Sequence, residues 1–200
     1  MLKKILFGAL FGVLILNMTL TATAQGGHEY APIQERTINY RDWTFNSLAD
    51  NRPPVNLRRW MQGKRLVLVV YYAAWCGNWR MEAPVVARLY DRYKNQGFDV
   101  VAVSNYASCD DSRAFFGNAG APYTVVVESE AGEARDRTTH YTYRQATGDT
   151  RRWGSPYNIF LDPARATASG DVIAERAWVS NGELVEEEAD AFIRARLGIR

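Results

Sequence analysis

The feature that most constrains the fold is a continuous apolar run at Leu66–Tyr72, with the sequence LVLVVYY. A run of this kind predicts a strand that is buried on both faces, as in the centre of an α/β sheet. Apolar residues then recur at helical spacing over Glu82–Asn95, and Asp99–Ser104 predicts a second buried strand. A strand, a helix and a strand in this order predict a right-handed βαβ unit with parallel strands.

The elements around this unit complete a mixed sheet with helices on both faces. Before the unit, Trp43–Leu48 and Val55–Leu57 flank a proline-containing turn and predict an entry hairpin. After it, we predict one short helix and three further strands. These elements are expected at Ser108–Phe116, Tyr123–Glu128, Tyr157–Asp162 and Val172–Val179. Ser108 is expected to be the N-cap of the short helix.

The end of the chain and one internal segment complete the predicted domain, which spans residues 42–200. Residues 129–153 are polar, charged and rich in turn residues, so they predict a surface excursion with at most a short helix. Ser180 and Glu183 have the spacing of a capping box and predict the start of a C-terminal helix. Gly198 is expected to end that helix.

The first 24 residues predict a signal peptide. Lys3 and Lys4 precede an apolar stretch over Ile5–Leu20, and Ala22-Thr23-Ala24 supplies a small-residue cleavage site before Gln25. An uncleaved anchor is the alternative, but the apolar stretch is short for a membrane span. We therefore expect a protein exported from the cytoplasm, free of the membrane after cleavage, that begins with a flexible lead-in over residues 25–41.

Charge and composition exclude several classes of function. Without Lys3 and Lys4, the chain has 22 basic and 22 acidic residues, so a broad attraction to nucleic acid or anionic lipid is not indicated. His28, His140 and the two cysteines lack the spacing of a zinc site. No dinucleotide or Walker loop is found, and we expect no cofactor.

Cys76 is the residue that carries the predicted chemistry. It follows the Leu66–Tyr72 strand by four residues and precedes the Glu82–Asn95 helix, which places its thiol at the carboxyl edge of the sheet. The start of a helix favours a thiolate, and Arg80 adds positive charge one turn later. The alternative is a buried cysteine that acts as a small apolar residue. The flanking Trp75 and Trp79 argue for a site.

The residues around Cys76 resemble the W-C-x-x-C-K/R-x-E-x-P motif of thioredoxin-like proteins of the TlpA/ResA type, which are exported thiol–disulfide oxidoreductases. The segment reads Trp75-Cys76-Gly77-Asn78-Trp79-Arg80-Met81-Glu82-Ala83-Pro84. The later segment over residues 154–162, GSPYNIFLD, fits the same family, and the resemblance spans residues 40 to 198. It implies a thioredoxin-like α/β fold with a mixed central sheet flanked by helices and an N-terminal β-hairpin extension.

The resemblance also implies roles for individual residues. Cys76 matches the nucleophilic cysteine, and Pro156 matches a cis-proline that faces the site and, with Ser155, helps to hold a substrate chain. Glu82 matches an acidic residue close to the cysteines, although an exposed carboxylate in a first helical turn is the alternative. Trp75 is expected to shape the substrate groove, and Trp79 is expected to contact the substrate beside it.

The sequence departs from the family at the second motif cysteine, where Trp79 stands. A dithiol enzyme needs that thiol to release the mixed disulfide with its substrate. Three explanations stay open: an external thiol resolves the intermediate, Cys109 replaces the missing cysteine, or redox activity is lost. Peroxidase chemistry is the weakest option, because Val69 and Ala73 occupy the proline and threonine positions of the P-x-x-x-T-x-x-C pattern.

These observations predict an extracytoplasmic protein that exchanges thiols and disulfides through a single motif cysteine. Its partner would be a protein or small-molecule thiol or disulfide, with an external reductant as a further partner. The alternative is a non-catalytic binding or assembly module, in which Trp75 and Trp79 form an apolar contact patch. Cys76→Ser should abolish reduction of a model disulfide if the first interpretation holds.

Overall fold

Leu66–Tyr72 forms strand β4, and all seven of its residues are buried, as the sequence predicts. It pairs in parallel with β5 (Phe98–Ser104) and in antiparallel with β7 (Tyr157–Leu161). The register sets Tyr72 beside Ser104 and Tyr71 beside Tyr157. The chain that leaves β4 and the chain that enters β7 therefore meet at one edge of the sheet.

The remaining elements are given by the computed structural model, which describes residues 27–130 and 132–200. The other strands are β1 (Gln34–Arg41), β2 (Thr44–Ser47), β3 (Val55–Asn56), β6 (Thr124–Val127) and β8 (Val172–Ser180). The helices are α1 (Leu57–Trp60), α2 (Gly77–Tyr93), α3 (Cys109–Phe116), α4 (Thr139–Ala146) and α5 (Glu186–Leu197). Three short 3₁₀ helices lie at Lys94–Gln96, Gly132–Arg137 and Pro163–Arg165. The predicted signal peptide lies outside the described residues.

The sheet is mixed and has the strand order β1-β8-β7-β4-β5-β6-β2-β3. Alternate residues of β4 point into two separate cores. Leu66, Leu68 and Val70 pack with α2 and α5, whereas Val67 and Val69 pack on the face that carries α1 and α4. Helices on both faces of the sheet explain why β4 carries no polar face.

The predicted entry hairpin is confirmed, since β2 and β3 pair in antiparallel. The lead-in prediction is wrong for residues 34–41, because β1 pairs along β8. Its burial alternates, with Ile38 and Tyr40 buried between exposed neighbours. An edge strand of this kind has only a short alternation of buried and exposed residues. The charged residues Glu35 and Arg36 make its sequence resemble a polar loop.

The predicted capping box is wrong. Helix α5 begins at Glu186 with Val185 as its N-cap, and the Ser180 hydroxyl donates instead to the Ala31 carbonyl at 2.8 Å. Glu183 is buried and accepts from the backbone N–H of Glu29 at 2.8 Å, while His28 Nδ1 lies 2.7 Å from its other oxygen. This carboxylate fastens the start of the described chain to the body of the protein. Gly198 does end α5, in the left-handed conformation.

Residues 129–153 are more than a surface excursion. Helix α4 lies within this segment, and it buries His140, Tyr143 and Arg144. Those three residues fall at helical spacing, which explains how one face of a polar segment packs against the sheet. Within the described ranges, no helix is long and apolar enough to span a membrane.

Glu183→Gln should lower the free energy of unfolding by about 1–2 kcal/mol, because a neutral amide is a weaker acceptor for His28 and the Glu29 N–H than a buried carboxylate. Urea denaturation of the mature chain measures the change. Glu187→Gln removes an exposed carboxylate two residues before Ala189 and should change stability by less than about 0.5 kcal/mol. Equal losses in the two variants would contradict the anchoring role.

Candidate active site

Cys76 is the N-cap residue of α2, which begins five residues earlier than the periodicity predicts. Its backbone N–H donates to the Ala73 carbonyl at 2.9 Å, so a tight turn joins β4 to the helix. Its Sγ is half-buried and lies 3.1 Å from the carbonyl oxygen of Ser155, to which the thiol donates. The thiol thus sits at a helix N-terminus and faces the chain that enters β7.

The Ser155–Pro156 peptide bond is cis, as predicted. The Ser155 hydroxyl accepts from the backbone N–H of Ala73 at 2.9 Å, which joins this loop to the turn that carries Cys76. Arg151 Nη2 donates to the Pro156 carbonyl at 3.0 Å. Side-chain and backbone contacts therefore fix the loop on both sides of the cis bond.

Gly154, directly before this loop, cannot be replaced without a clash. Its φ is +57°, in the left-handed region that favours glycine, and a Cβ atom would lie 1.7 Å from Nε of Arg144. Arg144 is itself buried and pairs with Asp149 at 3.1 Å. The loop therefore packs directly on the α4 segment.

Trp75 lies at the surface beside Cys76. Its side chain is 46% exposed, and no other large apolar side chain among the described residues is exposed. Its indole N–H donates to the Tyr106 carbonyl at 2.8 Å, and its ring meets the edge of Trp153 at 5.4 Å. This position is compatible with the groove-shaping role predicted for Trp75, which stays a prediction.

Trp79 does not contribute to this surface, and its assignment as a substrate-contacting residue is corrected by its burial. The side chain is fully buried, and its ring stacks on Tyr72 at 4.7 Å and on Phe115 at 5.8 Å. Residue 79 points inward at the first turn of α2, and an aromatic ring there belongs to the core. The contact patch predicted from two tryptophans therefore has only Trp75 at the surface.

Glu82 is buried, so the alternative of an exposed carboxylate is wrong. Neither of its oxygens has a hydrogen-bond partner within residues 27–130 and 132–200. Burial raises the pKa of Glu82 well above its usual value. Asn158 lies beside it, and its amide nitrogen already donates to the Gly182 carbonyl at 2.9 Å. A protonated Glu82 can donate to the remaining amide oxygen of Asn158, whereas a carboxylate cannot.

Cys109 occupies the first position of α3, one residue after the predicted N-cap Ser108. Both cysteines are free thiols, and both are half-buried against the core that contains Trp79. The Cys109 backbone N–H donates to Glu130 at 2.9 Å. Burial raises the pKa of the Cys109 thiol, and the Glu130 carboxylate adds to the rise. Cys109 is thereby kept in its thiol form at neutral pH.

The structure thus brings Cys76, Trp75, Ser155 and Pro156 together and places Trp79 and Glu82 in the interior. Sequence reasoning missed the part played by residues 129–153, whose side chains contact the loop before β7. The helical spacing of the buried α4 residues was the available signal. Their loop contacts depend on tertiary packing and leave no local pattern.

Glu82→Gln should stabilise the protein at neutral pH, and its advantage should grow as the pH rises from 5 to 8. A carboxyl whose folded pKa is raised stays protonated when folded and ionises when unfolded, so the wild type loses stability above the unfolded pKa. The slope is about 1.4 kcal/mol per pH unit for one proton. Urea denaturation across this range measures it, with exposed Glu188→Gln as the control. Parallel pH profiles for wild type and Glu82→Gln would contradict a raised pKa.

Solved structures that resemble the protein have the same fold. A putative thiol:disulfide interchange protein DsbE from Chlorobium tepidum matches with a TM-score of 0.55 at 21% identity, over 86% of this chain and 99% of that chain. A thioredoxin-family thiol:disulfide interchange protein from Chlorobium tepidum TLS matches with a TM-score of 0.56 at 19% identity, over 82% and 98% of the two chains. A DsbF homologue from Corynebacterium diphtheriae has a TM-score of 0.55 at 16% identity, over 94% and 99%.

These likenesses show a thioredoxin-like α/β fold, which confirms the fold predicted from the sequence. None of the curated proteins compared with the chain matches it significantly. The family model of AhpC/TSA matches residues 41–146, which is just over half of the 200 residues and includes Trp75, Cys76 and Glu82. The chain therefore belongs to the AhpC/TSA family.

Proposed function

We propose that the protein exchanges thiols and disulfides outside the cytoplasm, with Cys76 as its single reactive motif cysteine. The observation that carries the proposal is the position of Cys76 Sγ, at the N-terminus of α2 and 3.1 Å from the carbonyl of Ser155 in the cis-proline loop. The solved structures named above as thiol:disulfide interchange proteins share this fold and support the class of chemistry. The TlpA/ResA resemblance of the motif supports the finer assignment.

The reaction begins when the Cys76 thiolate attacks one sulfur of a substrate disulfide. A Cys76–substrate disulfide forms, the substrate S–S bond breaks, and the second substrate sulfur leaves as a thiolate that takes up a proton. A second thiol then attacks the mixed disulfide, leaves with the first substrate sulfur and frees Cys76. The sum is one thiol and one disulfide exchanged for another thiol and disulfide, without net oxidation of the protein.

We propose that an external thiol performs the second step. The position of the usual resolving cysteine holds Trp79, which is buried and stacked on Tyr72. Cys109 is the internal alternative, but burial and the Glu130 carboxylate raise the pKa of its thiol and so lower the fraction of thiolate, the form that attacks a disulfide. An external thiol is neither buried nor next to Glu130.

The other residues of the site have supporting roles in this proposal. The Ser155 carbonyl accepts from the Cys76 thiol, and Ser155, Pro156 and Trp75 would contact the substrate chain. The TlpA/ResA resemblance would place Glu82 near the reactive sulfur as a buried acid that can release a proton but not take one up, since burial holds it neutral. Export rests on the signal-peptide pattern of residues 1–24, and the periplasm as its destination rests on the TlpA/ResA resemblance.

Peroxide reduction and pure binding are less well supported as functions. Ala73 stands where the peroxide-binding threonine of thiol peroxidases is expected, and the group facing Cys76 Sγ is a carbonyl that only accepts hydrogen bonds. A binding module was predicted to use both tryptophans of the motif. Burial of Trp79 removes one of them.

Mixing the mature protein with a small peptide disulfide should produce a mixed disulfide on Cys76 that persists until an external thiol is added. Without a resolving thiol in the motif, nothing in the protein releases the adduct rapidly. Mass spectrometry after acid quenching and alkylation locates and times the adduct. Cys109→Ser is the matched control and should trap the same adduct for the same time.

Cys76→Ser should form no adduct and should not turn over the peptide disulfide when reductant is present. Turnover by this variant equal to that of wild type would refute the proposed function. Rapid conversion of the wild-type adduct to a Cys76–Cys109 disulfide, absent in Cys109→Ser, would replace external resolution with internal resolution. Oxidation of Cys76 by peroxide, without reaction with disulfides, would favour peroxide reduction.

Trp79→Cys should supply a second motif thiol, which releases the trapped substrate by forming an internal disulfide with Cys76. The same change removes a fully buried ring and should cost about 3–5 kcal/mol of stability. Circular dichroism and urea denaturation verify that the variant is folded before the adduct lifetime is measured. Trp79→Ser creates a similar cavity without a thiol and should keep the long-lived adduct. An unchanged adduct lifetime in folded Trp79→Cys would contradict this account.

A further inference from the structure

A buried histidine connects the two sides of the candidate site, which we call the Trp75 wall and the Ser155–Pro156 wall. His140, in the first turn of α4, is fully buried, and each of its ring nitrogens has a partner. Nε2 lies 3.0 Å from the carbonyl oxygen of Gly154, directly before the Ser155–Pro156 loop. Nδ1 lies 3.0 Å from the hydroxyl of Tyr106. Tyr106 in turn accepts the indole N–H of Trp75 at its backbone carbonyl.

The chemistry of these partners fixes the state of the ring. The Gly154 carbonyl can only accept, so Nε2 carries the proton and donates it. In the neutral ring Nδ1 is then an acceptor, and the Tyr106 hydroxyl donates to it. Burial lowers the pKa of His140 to about 3, so the ring stays neutral at any physiological pH. The two hydrogen bonds of His140 therefore do not change with physiological pH. We call this fixed link between Gly154 and Tyr106 the His140 brace.

The ring is also held by rigid parts of the sheet. It stacks on Tyr71 of β4 with centroids 5.2 Å apart and planes 7° from parallel. Tyr157, the first residue of β7, packs against it at 5.8 Å. The brace is thus anchored on the two strands whose ends carry Cys76 and the cis-proline loop.

We propose that His140 is a positioning residue that sets the distance between the Trp75 wall and the Ser155–Pro156 wall of the substrate groove. It acts through Gly154 on one side and through Tyr106 on the other, and it touches neither the substrate nor Cys76. This inference rests on the proposed thiol–disulfide exchange and deepens it. A peptide disulfide must lie between the two walls to reach Cys76, whereas a small alkylating agent needs only access to the sulfur.

The test compares these two reagents on the mature protein. His140→Phe keeps an aromatic ring against Tyr71 and loses both hydrogen bonds. It should slow formation of the mixed disulfide with a peptide by about tenfold, since a displacement of about 1 Å is enough for such losses. Its reaction with iodoacetamide should change by less than about twofold, because that reagent does not use the groove. Tyr106→Phe removes one of the two bonds of His140, together with the contact of the Tyr106 and Thr138 hydroxyls at 3.0 Å, and should give an intermediate loss.

His140→Gln should restore much of the peptide rate, because its amide can still donate to Gly154. Tyr143→Phe is the matched control, since it removes from the same helix a buried hydroxyl that accepts from the Arg41 N–H at 2.8 Å and contacts no residue of the loop. It should react like wild type with both reagents. The indole N–H signal of Trp75 in ¹⁵N NMR, assigned through Trp75→Phe, should shift in His140→Phe and Tyr106→Phe but not in Tyr143→Phe.

The outcomes distinguish the positioning role of His140 from thiol–disulfide exchange by Cys76. A wild-type protein that forms no mixed disulfide would refute the proposed function, while a shifted Trp75 signal in His140→Phe would still support the brace. Equal peptide rates in wild type and in folded His140→Phe would overturn the positioning role. Equal losses toward the peptide and iodoacetamide would also overturn it, because such losses indicate general damage to the site.

Discussion

The pairing of β4 with β5 and β7 is the constraint on which the site depends. Because β4 is buried on both faces, its register leaves no freedom for a shift of one residue, which would exchange the two cores. Parallel pairing with β5 requires the α2 crossover, so a helix begins just after β4 ends. Antiparallel pairing with β7 brings the chain before Tyr157 to the same edge. Cys76 and Ser155 meet there although 79 residues separate them.

Features that depend on neighbouring residues could be predicted from the sequence, whereas features that depend on long-range contacts could not. The bounds of β4 agree to the residue, because burial on both faces gives an unbroken apolar run. The N-cap role of Ser108 is also confirmed, since that interaction stays within four residues. The capping box at Ser180 fails because both of its polar side chains are engaged by the start of the described chain, about 150 residues earlier. No local pattern reports such partners.

The same distinction applies to the site. The motif resemblance singles out Cys76, Ser155 and Pro156, and the structure brings the Cys76 thiol against the Ser155–Pro156 loop. The resemblance does not show that Trp79 is part of the core, since a tryptophan beside a reactive cysteine is equally typical of a surface contact. The ring is accommodated because Tyr72 and Phe115 stack on it. Residue 79 therefore belongs to an aromatic cluster of the core.

Three ionisable side chains, on α2, α3 and α4, are kept neutral. Burial raises the pKa of Glu82 and of the Cys109 thiol, and it lowers the pKa of His140 to about 3. The hydrogen-bond partner of the Cys76 thiol is the backbone carbonyl of Ser155, and a thiolate cannot donate to it. A substrate chain that lies along the cis-proline loop would take over that edge of the site while the sulfur reacts. In the proposed exchange, the position of the loop would decide whether the substrate disulfide reaches the sulfur. The contacts of Gly154 with His140 and Arg144 would then control the reactivity of Cys76.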